Sequence, residues 1–261
     1  MFGGNFNYET RFFAGGYELS GIESVNLSYQ AAQNISKFLG TSKGLNVTSG
    51  PISQKISING NLIYDDPLLA YTGDSNMSGS IHYNGIDYGF QSGYLSDYSL
   101  NCAVGTVPKV STNFEIMDEM KTGVSTSGEA VHPPIYIPSQ GSISVTCDNS
   151  TTNRVIGFDY SIKASRKVFY TLGSTSCVGI ISIPPLEYSA SVQIDVDDAF
   201  LENSHNFLKE RENKTISFSI RGRGGENLQS LTIPKASLVG EQLEASSDGS
   251  VKLTLNYIGH S

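Results

Sequence analysis

From Pro51 to Tyr64 the chain reads PISQKISINGNLIY. Apolar Ile52, Ile56, Ile58 and Leu62 alternate with polar Ser53, Lys55, Ser57, Asn59 and Asn61. A period of two sends successive side chains to opposite faces, so this segment predicts a strand with one buried and one solvated face. The pattern returns from Pro185. There Leu186, Tyr188, Ala190, Val192, Ile194 and Val196 alternate with Glu187, Ser189, Ser191, Gln193 and Asp195. An offset of 134 residues carries Ile52 to Leu186 and keeps the two segments in phase. A slip of one residue would exchange the faces.

The likeness extends along the chain in order. LSYQAAQNISKFLGTS from Leu27 aligns with YSIKASRKVFYTLGST from Tyr160, pairing Ser28 with Ser161, Ala31 with Ala164, Leu39 with Leu172 and Gly40 with Gly173. After each alternating strand come two aspartates and an apolar run, DDPLL at Asp65 and DDAFL at Asp197. Asp is a good helix N-cap and Pro67 suits a first helical turn, so each copy is expected to hold one short helix. The second is expected to run on through ENSHNFLKER, with Phe200, Leu201, Phe207 and Leu208 on one face. SGSIHYNG (Ser78–Gly85) and TISFSIRG (Thr215–Gly222) read as strands entering glycine turns. Finally GFQSGYLSDYSL from Gly89 and NLQSLTIPKASL from Asn227 share a Gln-Ser and a closing Ser-Leu at an offset of 138. Ordered matches of this kind predict an internal duplication. The Gly/Ser/Pro-rich segment 117–140 is the natural junction, giving an N-terminal arm 1–20, a first repeat 21–116, the linker 117–140 and a second repeat 141–261. Asn59-Gly60 would suggest a hairpin by itself, but its counterpart Gln193-Ile194 cannot turn, so Gly60 is expected within a strand or bulge.

Composition agrees with an all-β protein. Charged residues are 16% of the 261, and polarity comes from Ser, Thr, Asn and Gln. The formal net charge of −8 argues against tight gripping of a phosphate backbone. No apolar run reaches the length of a membrane span, and the N-terminus lacks the charged start and apolar core of a signal peptide. Cys102, Cys147 and Cys177 are widely spaced, which fits neither a disulfide framework nor a metal knuckle, and a reducing cytoplasm is the expected folding compartment.

Candidate chemistry is sparse. RGRGGENL at Arg221 could be a phosphate nest, but YNGIDYGF fills its place in the first copy and favours a hairpin turn. The paired aspartates at 65/66 and 197/198 recur at helix starts and read as caps rather than catalytic carboxylates or a cation site. His82, His132, His205 and His260 have no ligand spacing and no nucleophile motif beside them. Six Asn-x-Ser/Thr sequons read as by-products of the composition. Neither an enzyme nor a cofactor or metal site is expected.

The order of long strand, loop, long alternating strand, short helix and further strands resembles the tail-tube fold of long-tailed bacteriophages. GFQSGYLSDYSLNCAVGTVP and SGSIHYNG are also similar to strings of major tail proteins. The resemblance implies two tandem tail-tube-like β-sandwich or barrel domains, each β with one short helix. Tube subunits of this family usually stack as six-membered rings with a continuous inner β-barrel. A fused pair implies three chains per ring. On that footing Ser53, Lys55, Ser57, Asn59, Asn61, Glu187, Ser189, Ser191, Gln193 and Asp195 would face the lumen with a summed charge of −1, one Lys against Glu and Asp. Loops Thr41–Gly50 and Ser174–Pro184 would touch the next ring through Leu45, Val47, Val178, Ile180 and Ile181. The implied partners are further copies of the chain and the terminator, tape-measure and distal tail proteins, with DNA only transiently in the lumen and no membrane. The implied place is the virion tail, assembled in the host cytoplasm. A terminator, distal tail or baseplate-hub component is the alternative. A carbohydrate-binding module displaying Tyr83, Tyr88, Tyr94 and Tyr98 is a third reading.

Overall fold

The computed structural model describes residues 10–36, 45–124, 134–136, 138–148, 150–151, 154–196, 213–245 and 251–261. They form an all-β structure. The first strands are β1 (Arg11–Ala14), β2 (Tyr17–Glu18), β3 (Ile22–Ser36), β4 (Leu45–Asn61), β5 (Met77–Tyr83), β6 (Ile86–Ala103), β7 (Lys109–Ile116) and β8 (Lys121–Thr122). They continue with β9 (Pro138–Cys147), β10 (Ser150–Thr151), β11 (Val155–Lys163), β12 (Arg166–Phe169), β13 (Gly179–Ser182), β14 (Glu187–Asp195), β15 (Lys214–Gly222), β16 (Asn227–Ala245) and β17 (Val251–His260). Fifteen of them make one antiparallel sheet, and β12 and β13 form a separate hairpin.

One strand order occurs twice. The first half of the chain runs β1-β5-β6-β7-β4-β3, the second β9-β15-β16-β17-β14-β11, and the halves meet where β11 pairs with β6. The registers recur as well. Leu27 faces Ile56, and Tyr160 faces Ala190. Ile56 in turn faces Phe114, and Ala190 faces Tyr257. Leu95 faces Phe114 and Leu238 faces Tyr257, and each of these pairings is followed by a register shift at the next residues, Asp97 and Gly240.

These registers change two readings of the sequence. Residues read as an arm include β1, which pairs with β5, Phe12 facing Ile81, much as β9 pairs with β15, Val145 facing Phe218. Even the small flanking strands agree, Ala14 facing Tyr17 and Cys147 facing Ser150. Second, the Gln-Ser echo does not mark equivalent places. Phe90 faces Gly79 where Ile233 faces Ile216, which aligns Gln91-Ser92 with Pro234-Lys235 rather than with Gln229-Ser230. The N–H groups of Gln91 and Ser92 lie at a bulge and donate to the Asp118 carboxylate, at 2.8 and 2.9 Å. Gln229 is instead a buried ladder position facing Ile220.

Apolar sides of the alternating strands build a continuous core. Ile56, Ile58, Val192 and Ile194 are buried in it with Phe90, Tyr98, Phe114 and Tyr257. Phe158 of β11 packs on Phe218 of β15 with ring centroids 4.7 Å apart, which ties the two layers of the second half together. In the first half the Phe90 ring fills the space over Gly79 and Gly93, where added Cβ atoms would each come within 2.7 Å of it. Gly60 lies inside β4, facing Ile22 beside a bulge, and a Cβ there would stand 2.9 Å from the Gly21 carbonyl. Asp66 caps a short 3-10 helix, Pro67–Thr72, by accepting from the Leu68 N–H at 3.0 Å. Burial raises the Asp66 carboxyl to about 6, against the opposing pull of the Leu68 N–H and the Tyr98 hydroxyl. The expected helix after Asp197 lies outside the described residues.

Candidate functional site

Eight strands, β3-β4-β7-β6-β11-β14-β17-β16, lie side by side, and their outward positions make one polar face. Ser24, Asn59, Ser111, Ser99, Ser161, Ser189 and Ile258 follow one another straight across it. A parallel row runs Asn26, Ser57, Asn113, Asp97, Lys163, Glu187 and His260. A third runs Asn61, Lys109, Asn101, Asp159, Ser191 and Asn256. The ten residues singled out on β4 and β14 alternate with the buried Ile and Val of those strands, and none of the ten is buried. Sequence reasoning saw two strands of this face. It missed the polar sides of the other six: bulges interrupt β3, β6, β11 and β16, whereas β7 and β17 alternate cleanly and their signal went unread.

Neighbouring strands are cross-linked along the rows by short polar contacts. Asn59 Nδ2 donates to Ser24 Oγ at 3.1 Å, and Ser57 Oγ donates to Asn113 Oδ1. Asn101 Nδ2 donates to Asp159, and the hydroxyls of Ser161 and Ser189 meet at 2.6 Å across the second half. Lys55 pairs with Glu115 at 2.5 Å and Lys109 with Glu23 at 3.1 Å. Hydrogen bonds from Lys109 and Asn61 hold the Glu23 carboxyl below its ordinary range. Register sets Lys163 between Asp97 and Glu187, and Lys252 between Asp195 and Glu244. Four lysines (55, 109, 163, 252) stand against seven carboxylates (23, 97, 115, 159, 187, 195, 244), a net −3. Cations interleaved with acids in this way offer no strip on which a polyanion could settle.

The second candidate surface is the β12–β13 hairpin. Its root is fixed by Arg166, whose side chain is only 2% exposed. The guanidinium donates to the carbonyls of Leu95 at 2.9 Å and Gly73 at 2.6 Å, meets Asp74 at 3.3 Å and lies 5.8 Å from the centre of the Tyr94 ring. Its flank leans on β4, with Tyr170 Oη donating to the Ile52 carbonyl and Ile52 N–H donating to the Thr175 carbonyl. Alternation along β13 turns Ile180 inward and Ile181 outward, while Val178, just before the strand, is exposed, as are Phe169, Leu172 and Ile183. Leu45 and Val47 fall at the start of β4, with side chains outside the described residues, as are positions 41–44.

Cys102, Cys147 and Cys177 are buried thiols, and burial pushes the Cys102 and Cys147 thiols up to about 11. Among the described residues, no group of three or more His, Cys, Asp or Glu is placed to hold a metal ion. The polar face with its interleaved charges suits low-adhesion contact. A family model described as phage tail tube protein matches residues 14–259. No curated protein matches the chain.

Proposed function

This chain belongs to the phage tail tube protein family, and from that premise we propose that it polymerises as stacked rings to form the tail tube through which DNA leaves the virion. The two halves are read as fused copies of one tube subunit, so that three chains close a pseudo-hexameric ring. The observation that carries this reading is the largely polar face, continuous across eight strands and drawn from both halves of the chain. Curved into a closed barrel, such a face lines a lumen, and closure removes the edges that an open sheet would expose. The exposed apolar residues of the β12–β13 hairpin serve as the contact with the next ring.

Ring neighbours are copies of the chain, and the ends of the tube meet the terminator, tape-measure and distal tail proteins. DNA touches the lumen only in passage. Assembly belongs to the host cytoplasm before the tail joins the virion. Negative-stain electron microscopy of the purified protein tests this directly. Hollow rings or tubes of three chains per ring are expected, whereas a stable monomer at high concentration would refute the reading. Many tens of copies per particle distinguish a tube from a terminator, distal tail or hub component, which would occupy one or two rings.

A further inference from the structure

The seam inside the chain is a template for a second seam between chains. Within the chain, β11 pairs antiparallel with Asp97–Ala103 of β6, so that Ser161 faces Ser99, Tyr160 faces Leu100 and Asp159 faces Asn101. By the matching registers, β3 occupies the place of β11, and the C-terminal part of β16 occupies the place of that stretch of β6. Among the described residues β3 pairs only with β4, and β16 beyond Ser237 pairs only with β17. Each is an open edge.

Exposure marks both edges as unfinished. Leu100 faces Val110 and is fully buried, while Leu243, facing Leu253 at the equivalent place, is 66% exposed. Tyr29 on β3 is 67% exposed, whereas Ile162, at the equivalent place on β11, is 5% exposed. Long unpaired edges carrying apolar side chains are templates for pairing with another chain.

We propose that β16 of one copy takes up β3 of a second copy, antiparallel, with Leu27 facing Leu243, Ser28 facing Gln242 and Asn26 facing Glu244. This deepens the tube reading and rests on it, since it names the edges that close the ring. Each copy carries one edge of each kind, so the contact is head-to-tail and closes only as a ring. It covers Leu27, Tyr29 and Leu243 on the core side. On the other side it continues the polar rows across the junction.

Cysteine cross-linking of mixed single variants tests the register. Equal amounts of Ser28→Cys and Gln242→Cys proteins are oxidised, as are Asn26→Cys with Glu244→Cys. The crossed mixtures, Ser28→Cys with Glu244→Cys and Asn26→Cys with Gln242→Cys, are the out-of-register controls. All four positions are solvent-exposed, and the chain's own cysteines are buried. Ser99→Cys/Ser161→Cys in a single chain gives the yield of the internal seam. In-register mixtures should form covalent dimers about tenfold more than the crossed ones, because diagonal neighbours lie beyond disulfide reach. Rings in the microscope with cross-links favouring the crossed mixtures, or with none at all, would overturn this seam and leave the tube reading standing. A monomer with no cross-link in any mixture would overturn both.

Discussion

Asp66 shows how one residue serves the fold at a cost. Its carboxylate caps the 3-10 helix through the Leu68 N–H, yet burial raises its carboxyl from 3.8 to about 6. Between those values the folded chain keeps a proton that the unfolded chain releases, so stability falls as pH rises from about 4 to about 6. A shift of this size corresponds to something on the order of 3 kcal/mol at neutral pH. Asp66→Asn retains a capping oxygen and removes the charge. Thermal melts should place the variant above the parent at pH 7, with the gap closing towards pH 4; parallel pH profiles would contradict this. Phe90 gives a second test, because its ring substitutes for the side chains missing at Gly79 and Gly93. Phe90→Ala should cost about 3–5 kcal/mol in urea unfolding of the unassembled chain.

At the scale of elements, the β12–β13 hairpin depends on the half of the chain to which it does not belong. Arg166 crosses over to Leu95, Gly73 and Asp74. Arg166→Met keeps the aliphatic stem and loses charged hydrogen bonds worth roughly 1.5–3 kcal/mol each. Hydrogen exchange should then quicken over Arg166–Ser182 and at Ile52 of β4, whose N–H the hairpin flank holds, and stay unchanged in β14. At the hairpin surface, Ile181→Asp puts a charge on an exposed apolar position, so rings should still form while stacking into tubes is lost in the microscope. The elements differ in how far the sequence revealed them. β4 and β14 were plain because an uninterrupted alternation writes both faces of a strand into its residues. β1 was not, because RFFA buries three consecutive residues and has no period to read. β6 and β16 misled for a different reason: the β15–β16 hairpin, from Ile216 to Ile233, is longer than the β5–β6 hairpin, from Gly79 to Phe90, so a shared Gln-Ser matched in letters but not in register. The hairpin hid because its strands are only four residues each, too short to show a period, and its root is held by Arg166 at a partner 71 residues away.

For the whole molecule, two strand orders with coincident registers set the polar face of one half against that of the other across the β6–β11 seam. Low adhesion is the property that the proposed tube requires of this face. Duplex DNA should show no measurable retention by the assembled protein in a filter assay at moderate salt. Ser57→Lys with Ser189→Lys adds two cations per chain to the face, and the resulting retention should weaken as salt is raised. The ring itself is the central claim, and native mass spectrometry of rings released from the assembled protein tests it most directly. A mass of three chains per closed ring is the expected result; six chains per ring, or a chain that stays monomeric at high concentration, would contradict it.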